Sequence, residues 1–152
     1  MAGKKEPYPP FWEVDYLYIP IWIKQEDWLL FRVDMFNMEI TQYWTDKRWG
    51  NEKRRLVEHV MDIFPIFFKH FLDQIHYWRN SRYCTKKKVS FGYVQDGVPQ
   101  DNGNIANSGV LVCMMMDNLV RGKSLIDETD VEESCTNYRR HMANELYRWR
   151  CM

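Results

Sequence analysis

Ser108 stands between Asn107 and Gly109, directly before an apolar run that predicts a helix beginning near Ser108. A serine hydroxyl at a helix start can act as a hydrolase nucleophile when a neighbouring base activates it. The simpler reading is a helix cap, because a serine oxygen accepts hydrogen bonds from the first turn. The local sequence leaves both readings of Ser108 open.

The other reactive side chains form no recognisable site. Four histidines lie in helical stretches, at spacings that do not point to Ser108: His59, His70, His76 and His141. Four cysteines are widely separated and include no Cys-x-x-Cys pair: Cys84, Cys113, Cys135 and Cys151. We expect reduced thiols, with Cys113 packed in a core helix, and neither a metal site nor a cofactor.

Composition narrows the class of protein. The 152 residues are 45% apolar and 28% charged, which is typical of one globular domain. Lys and Arg together equal Asp and Glu at 21 each, so the zero net charge argues against nucleic-acid binding by a general electrostatic field. No apolar run is long enough for a membrane helix, and the N-terminus lacks the apolar core of a signal peptide. We therefore expect a nuclear or cytoplasmic protein without a membrane partner.

Alternation and turn residues predict an antiparallel meander followed by helices. The predicted strands span 15–23, 28–33, 38–44 and 89–94, and both faces of the first strand are expected to be covered. Pro20 indicates that the first strand is not paired on both edges. The fold class is α+β, with a small, mostly antiparallel sheet flanked by helices.

Apolar residues at helical spacing predict three helical regions. The first spans 51–75, with Pro65 bending or restarting it, and the second begins near Ser108 and stops at Gly122. A capping box from Thr129 to Glu132 opens the last helix, which runs to about Trp149.

Several short sequence motifs, in their order along the chain, resemble those of one protease family. Trp28 opens a strand after a charged turn, Tyr43 ends the third strand, and Val98-Pro99-Gln100 precedes Asn107-Ser108-Gly109. This order resembles the C-terminal half of the SUMO-specific (ubiquitin-like-protein-specific) cysteine proteases, a papain-like, adenain-related family, and most of all its diverged plant members. The resemblance implies an N-terminal arm at 1–11 and a single protease-like domain at 12–152, with a papain-like core truncated on its N-terminal side.

The resemblance also assigns the family's chemical positions, and each holds a different residue here. Asp27 stands where the family has its catalytic histidine, and Trp44 where it has the acid that orients this histidine. Ser108 replaces the nucleophilic cysteine, and Asp101 replaces the glutamine of the oxyanion hole. A carboxylate is a weaker base than an imidazole, and Asp101 would repel a developing oxyanion. We therefore expect an inactive domain, a pseudoprotease.

The resemblance further predicts a groove for a peptide or partner protein. Trp28 matches the family tryptophan that lines the tunnel for a diglycine tail, and Asn102, Asn107 and Gly109 would flank it. The sequence itself favours the more ordinary interpretation, in which Trp28 is a core aromatic residue.

The sequence thus favours a protein-interaction module whose partner is a ubiquitin-like protein or a second copy of the chain. The run Met114–Met116 supports this, because three consecutive helical residues do not all face one core. Two alternatives stay open. One is a rewired hydrolase that uses Ser108. The other is nucleic-acid binding through the basic region 46–88, in which Trp49, Tyr77, Trp78 and Tyr83 are interleaved with basic residues.

Overall fold

The computed structural model describes residues 9–23, 27–46, 50–81, 88–94, 97–101, 103–125 and 130–150. These residues form an α+β fold of four strands and four helices, preceded by a short 3-10 turn at Phe11–Glu13. In chain order the elements are β1 (Tyr16–Ile23), β2 (Asp27–Asp34), β3 (Glu39–Trp44), α1 (Asn51–Gln74), α2 (Tyr77–Asn80), β4 (Ser90–Val94), α3 (Ile105–Val120) and α4 (Val131–Arg150). None of these helices combines the length and the apolar character that crossing a membrane requires.

The strands form one open, mixed sheet in the order β1-β2-β3-β4. β1 and β2 are antiparallel, since the N–H of Met35, after β2, donates to the carbonyl of Asp15, before β1, at 2.9 Å. β4 starts beside the start of β3, because the N–H of Ser90 donates to the carbonyl of Met38 at 3.0 Å. These two strands are therefore parallel, and α1 supplies the long crossover that a parallel pair needs. The predicted α+β class is confirmed, and the sheet is mixed.

β1 is an edge strand, and the prediction that both of its faces are covered is wrong. Tyr16 and Trp22 are exposed, and Ile23 is the one buried residue of the strand. Pro20 has no N–H to donate, so it is tolerated where one side of a strand is unpaired. The indication that Pro20 gave, of a strand not paired on both edges, is confirmed.

The α1 helix continues through Pro65, so of the two predicted effects of Pro65, a bend or a restart, the restart is wrong. Proline removes one backbone hydrogen bond and clashes with the preceding turn. Val57, Phe68 and Leu72 are buried on one face of α1, on both sides of Pro65. Their common packing offsets the lost hydrogen bond and keeps the two halves in a single helix.

The α3 helix begins at Ile105, three residues before the predicted start at Ser108. The N–H of Asn104 donates to the carbonyl of Asp101 at 3.0 Å, and the N–H of Asn107 donates to the carbonyl of Asn104 at 2.8 Å. The first turn therefore forms before Ser108, which is a helical residue and not a cap.

Two other helix ends involve named side chains. Gly122 follows α3 with a φ of 66°, and its N–H donates to the carbonyl of Leu119 at 3.1 Å. This left-handed glycine confirms the predicted stop. At the start of α4, the N–H of Glu133 donates to the carboxylate of Asp130 at 3.0 Å. Asp130 is therefore the cap, one residue after the predicted Thr129, which lies outside the described residues.

The chain divides into two compact units, each with its own core. The first unit comprises Met1–Ile19, Phe31–Gln42 and Gly50–Tyr93, and the second comprises Pro20–Leu30, Tyr43–Trp49 and Val94–Met152. Buried apolar residues of the first include Phe31, Val33, Met35, Met38, Ile40, Val57, Phe68, Leu72 and Tyr77. Those of the second include Ile23, Leu29, Leu30, Tyr43, Val98, Leu111, Val112, Met114, Met115 and Cys135.

Candidate functional site

Every position to which the sequence assigned chemistry belongs to the second unit. The antiparallel pairing of β2 with β3 brings the start of β2 beside the end of β3. There the hydroxyl of Thr45 donates to the carbonyl of Trp28 at 3.1 Å. Asp27 and Trp44 each adjoin one of these two residues in the chain. Asp27 is buried, and Trp44 is half-buried.

The loop before α3 is attached to the same end of β3. The backbone N–H of Asp101 donates to the carbonyl of Thr45 at 2.8 Å, and the amide of Gln100 donates to the carbonyl of Trp44 at 3.1 Å. The carboxylate of Asp101 is buried, and it accepts the N–H of Gly103 at 2.8 Å. Asp101 therefore shapes the turn that leads into α3.

The first turns of α3 contribute Ser108 and Gly109. Ser108 is fully buried, with 0% of its surface exposed. Gly109 packs against the indole of Trp28, since a Cβ on Gly109 would lie 3.2 Å from Trp28 Cδ1. A larger residue at 109 would displace the ring, so glycine permits this close approach. The contact connects α3 directly to the start of β2.

Asn107 is buried and ties α3 to α4. Its amide nitrogen donates to the carboxylate of Glu132 at 2.6 Å, and its amide oxygen accepts from Arg139 at 2.9 Å. Arg139 also donates to the carbonyl of Ala106 at 2.7 Å, and the Asn104 amide donates to Glu132 at 3.1 Å. The network fixes the start of α3 on α4 and uses the Asn107 side chain for structure.

A groove of about 560 Å³ opens beside Trp28. Its lining is apolar apart from one thiol and consists of Pro20, Trp28, Ala106, Gly109, Val110, Val112, Cys113 and Met116. Two of the four residues expected around a groove, Trp28 and Gly109, line it. Asn107 is not among the lining residues, and Asn102 lies outside the described residues. Trp28 is half-buried on this groove, which favours the groove interpretation over the core one.

Cys113 is exposed, so the prediction that it packs in the core is wrong, and Cys135 is the buried cysteine. Leu111, Met114 and Met115 of α3 are buried, while Cys113 and Met116 face the groove. Partial burial raises the pKa of the Cys113 thiol. The thiol is therefore less ionised at neutral pH than an ordinary cysteine.

The spacing of four lining residues in the sequence indicates a shared helix face, which the sequence analysis did not predict. Ala106, Gly109, Cys113 and Met116 are spaced three, four and three residues apart. This spacing places them on one face of a helix. This face of α3 lines the groove, and Cys113 contributes its thiol there.

Other candidate groups are placed elsewhere. All four histidines are exposed, and no group of three or more His, Cys, Asp or Glu among the described residues is arranged to hold a metal ion. Tyr77, expected to stack on bases in the nucleic-acid alternative, is fully buried. Trp49 and Tyr83 lie outside the described part of the chain.

Comparison with known proteins does not assign a family. No protein-family model matches the chain, and no curated protein matches it either.

Proposed function

We propose that this chain is a catalytically inactive, SUMO-protease-like domain with a papain-like core, which binds a protein partner through the groove beside Trp28. One observation carries the proposal. Ser108 is fully buried, whereas the groove that Ala106 and Gly109 line on either side of it is open. The position matched to the nucleophile is closed, and the position matched to the substrate tail is accessible.

The chemistry of the other matched positions agrees with an inactive domain. A nucleophile needs a base within hydrogen-bond reach and an oriented partner for that base. Asp27 offers a carboxylate in place of an imidazole, and Trp44 has no acceptor with which to orient one. The carboxylate of Asp101 accepts the N–H of Gly103, and it has no hydrogen to donate to an oxyanion.

The groove favours a narrow, extended ligand. Its α3 side combines the small residues Ala106 and Gly109 with Val110, Val112, Cys113 and Met116, and the indole of Trp28 packs against Gly109. The small side chain of Ala106 leaves room for a peptide backbone beside the Trp28 ring. A chain end of glycines, as in the tail of a ubiquitin-like protein, fits this shape.

The proposal is tested by calorimetric titration with mature SUMO and with SUMO lacking its two terminal glycines. We expect binding of the first and loss of binding with the second. The Ala106→Trp variant should weaken binding about tenfold or more, because the new indole fills the groove. Ala143→Trp, at an exposed position of α4 outside the groove, is the matched control and should bind normally. Equal binding of both SUMO forms contradicts the proposal.

A rewired hydrolase based on Ser108 is less well supported. The Ser108 hydroxyl would have to reach solvent. Because this side chain is fully buried, it does so only after α3 moves. A fluorophosphonate reagent distinguishes the two functions, because it labels activated serines covalently. We expect no labelling at Ser108 in the folded chain.

A further inference from the structure

The outer face of α1 carries a ridge of residues spaced four apart: Asp62, Ile66 and His70. Ile66 is nine residues after the buried Val57 and therefore points to the opposite side of the helix. It is 70% exposed, and both Asp62 and His70 are exposed as well. An apolar residue thus stands at the centre of the ridge, one turn from a carboxylate and one turn from an imidazole.

Acidic and basic side chains stand at equal distances from Ile66 along this face. The carboxylate of Asp62 lies four residues before it, and the imidazole of His70 lies four residues after it. If two copies of α1 cross antiparallel with a two-fold axis at Ile66, residues equally far before and after Ile66 face each other. Asp62 of each copy then faces His70 of the other.

The next helical turn shows the same complementarity. His59 and Asp73 are seven residues before and after Ile66, so the same two-fold axis would bring them opposite each other. His59 is exposed and Asp73 is half-buried. A self-complementary patch of this kind is what a closed, isologous dimer requires.

The ridge is bordered on both sides by grooves of the first unit. One groove, of about 640 Å³, is lined by residues that include Pro65, Ile66 and Lys69. The other, of about 430 Å³, is lined by residues that include Phe67 and Phe71. Helices pack by inserting the ridges of one into the grooves of the other. The exposed Phe67 adds apolar area next to Ile66.

We infer that the outer face of α1 binds a second copy of this chain, with the two helices antiparallel and Ile66 at the two-fold axis. The inference does not depend on the proposed function, because the Trp28 groove lies in the other unit. We name a second copy as the occupant for two reasons. The acidic residues of this face would meet basic residues of the same face in the other copy, and the ridge of each copy could pack into a groove of the other.

The oligomeric state of the full chain tests the inference. Sedimentation velocity across the micromolar range should show a reversible monomer–dimer equilibrium. Ile66→Glu should weaken self-association about tenfold or more, since it places two carboxylates at the axis. Val120→Glu is the matched control, because Val120 of α3 is 68% exposed, and it should dimerise like the unchanged chain. Far-UV circular dichroism checks that each variant is folded.

A charge exchange tests the orientation. Asp62→Lys and His70→Glu should each dimerise about tenfold more weakly alone, because the first removes the carboxylate that faces His70 and the second sets two carboxylates against each other. An equimolar mixture should recover the affinity as a heterodimer, since the introduced lysine of one copy meets the introduced glutamate of the other. A chain that stays monomeric, an Ile66→Glu variant that dimerises normally, or a mixture without recovery overturns the inference.

Discussion

The indole of Trp28 lies directly against the backbone of Gly109. A Cβ on Gly109 would come within 3.2 Å of Trp28 Cδ1 and 3.4 Å of Nε1, which is closer than side chains ordinarily approach. The contact joins the start of β2 to the first turns of α3. It also defines the groove, because both residues line it.

Gly109→Ala tests this contact. In a helix interior alanine is usually more stable than glycine by about 1 kcal/mol. At 109 we expect no gain or a net loss in the free energy of unfolding, because the methyl group pushes the Trp28 ring. In a Trp28→Ala background the same change should recover the gain of about 1 kcal/mol. Urea unfolding of the four proteins measures both effects, and an equal gain in the two backgrounds contradicts the contact.

Replacing the buried Asn107 amide with a carboxylate should destabilise the fold through charge repulsion. Asn107→Asp replaces the donor to Glu132 with a second carboxylate, at a place where the two groups are 2.6 Å apart. We expect a loss of about 1–2 kcal/mol in the free energy of unfolding. Adding Glu132→Gln should recover most of it, since a glutamine amide can donate to the introduced carboxylate. Glu132→Gln alone is the control. No recovery in the double variant would show that the carboxylate pair is not the cause.

The Asp34 carboxyl, at the turn between β2 and β3, should contribute stability that is lost in acid. Burial alone raises the pKa of Asp34, but hydrogen bonds from Asn37 and Phe36 and the charge of Arg32 together lower it below its usual value. A carboxyl with a lowered pKa stabilises the fold above its unfolded pKa, and this contribution is lost as the pH falls through the folded pKa. Asp34→Asn should therefore be less stable than the unchanged chain by about 0.5 kcal/mol at neutral pH, because its amide oxygen still accepts the two N–H groups but carries no charge.

This difference should shrink in acid. Urea unfolding at neutral pH and at a pH of about 3 measures it. A constant difference between Asp34→Asn and the unchanged chain at both pH values contradicts the prediction.

The alkylation rate of the Cys113 thiol measures how well the groove shields it. Because partial burial raises its pKa, iodoacetamide should alkylate Cys113 more slowly than free cysteine at neutral pH, with a rate that rises at alkaline pH. A ligand in the groove should slow the reaction further. Peptide mass spectrometry follows Cys113 separately from the other thiols. A rate equal to that of free cysteine at neutral pH would show that the thiol is not shielded.

The sequence predicted the strands and the buried face of α1 because their apolar residues repeat with a clear period. It misplaced the start of α3 because hydrogen bonds of Asp101, Asn104 and Asn107 open this helix, and polar loop residues have no hydrophobic period. It misplaced Cys113 for a different reason. Met114 and Met115 are both buried, so α3 is covered on more than one face, and a single apolar stripe does not describe it.

Two of the residues expected at a peptide groove, Trp28 and Gly109, line the groove that the structure shows. That this groove holds a peptide or a partner stays a prediction. The burial of Ser108 could not be read from its neighbours, because serine is common both at exposed helix starts and inside them. Both chain neighbours of Ser108 are fixed, Gly109 by its contact with Trp28 and Asn107 by its hydrogen bonds to Glu132 and Arg139.

The most direct test of an inactive, partner-binding domain is the intact mass of a SUMO precursor after incubation with this chain at equal concentration. We predict that the precursor keeps its full mass, so that the residues after its diglycine stay attached. A precursor shortened at the diglycine, with the cleavage abolished by Ser108→Ala, would show that Ser108 is a working nucleophile and would contradict the inactive domain proposed here.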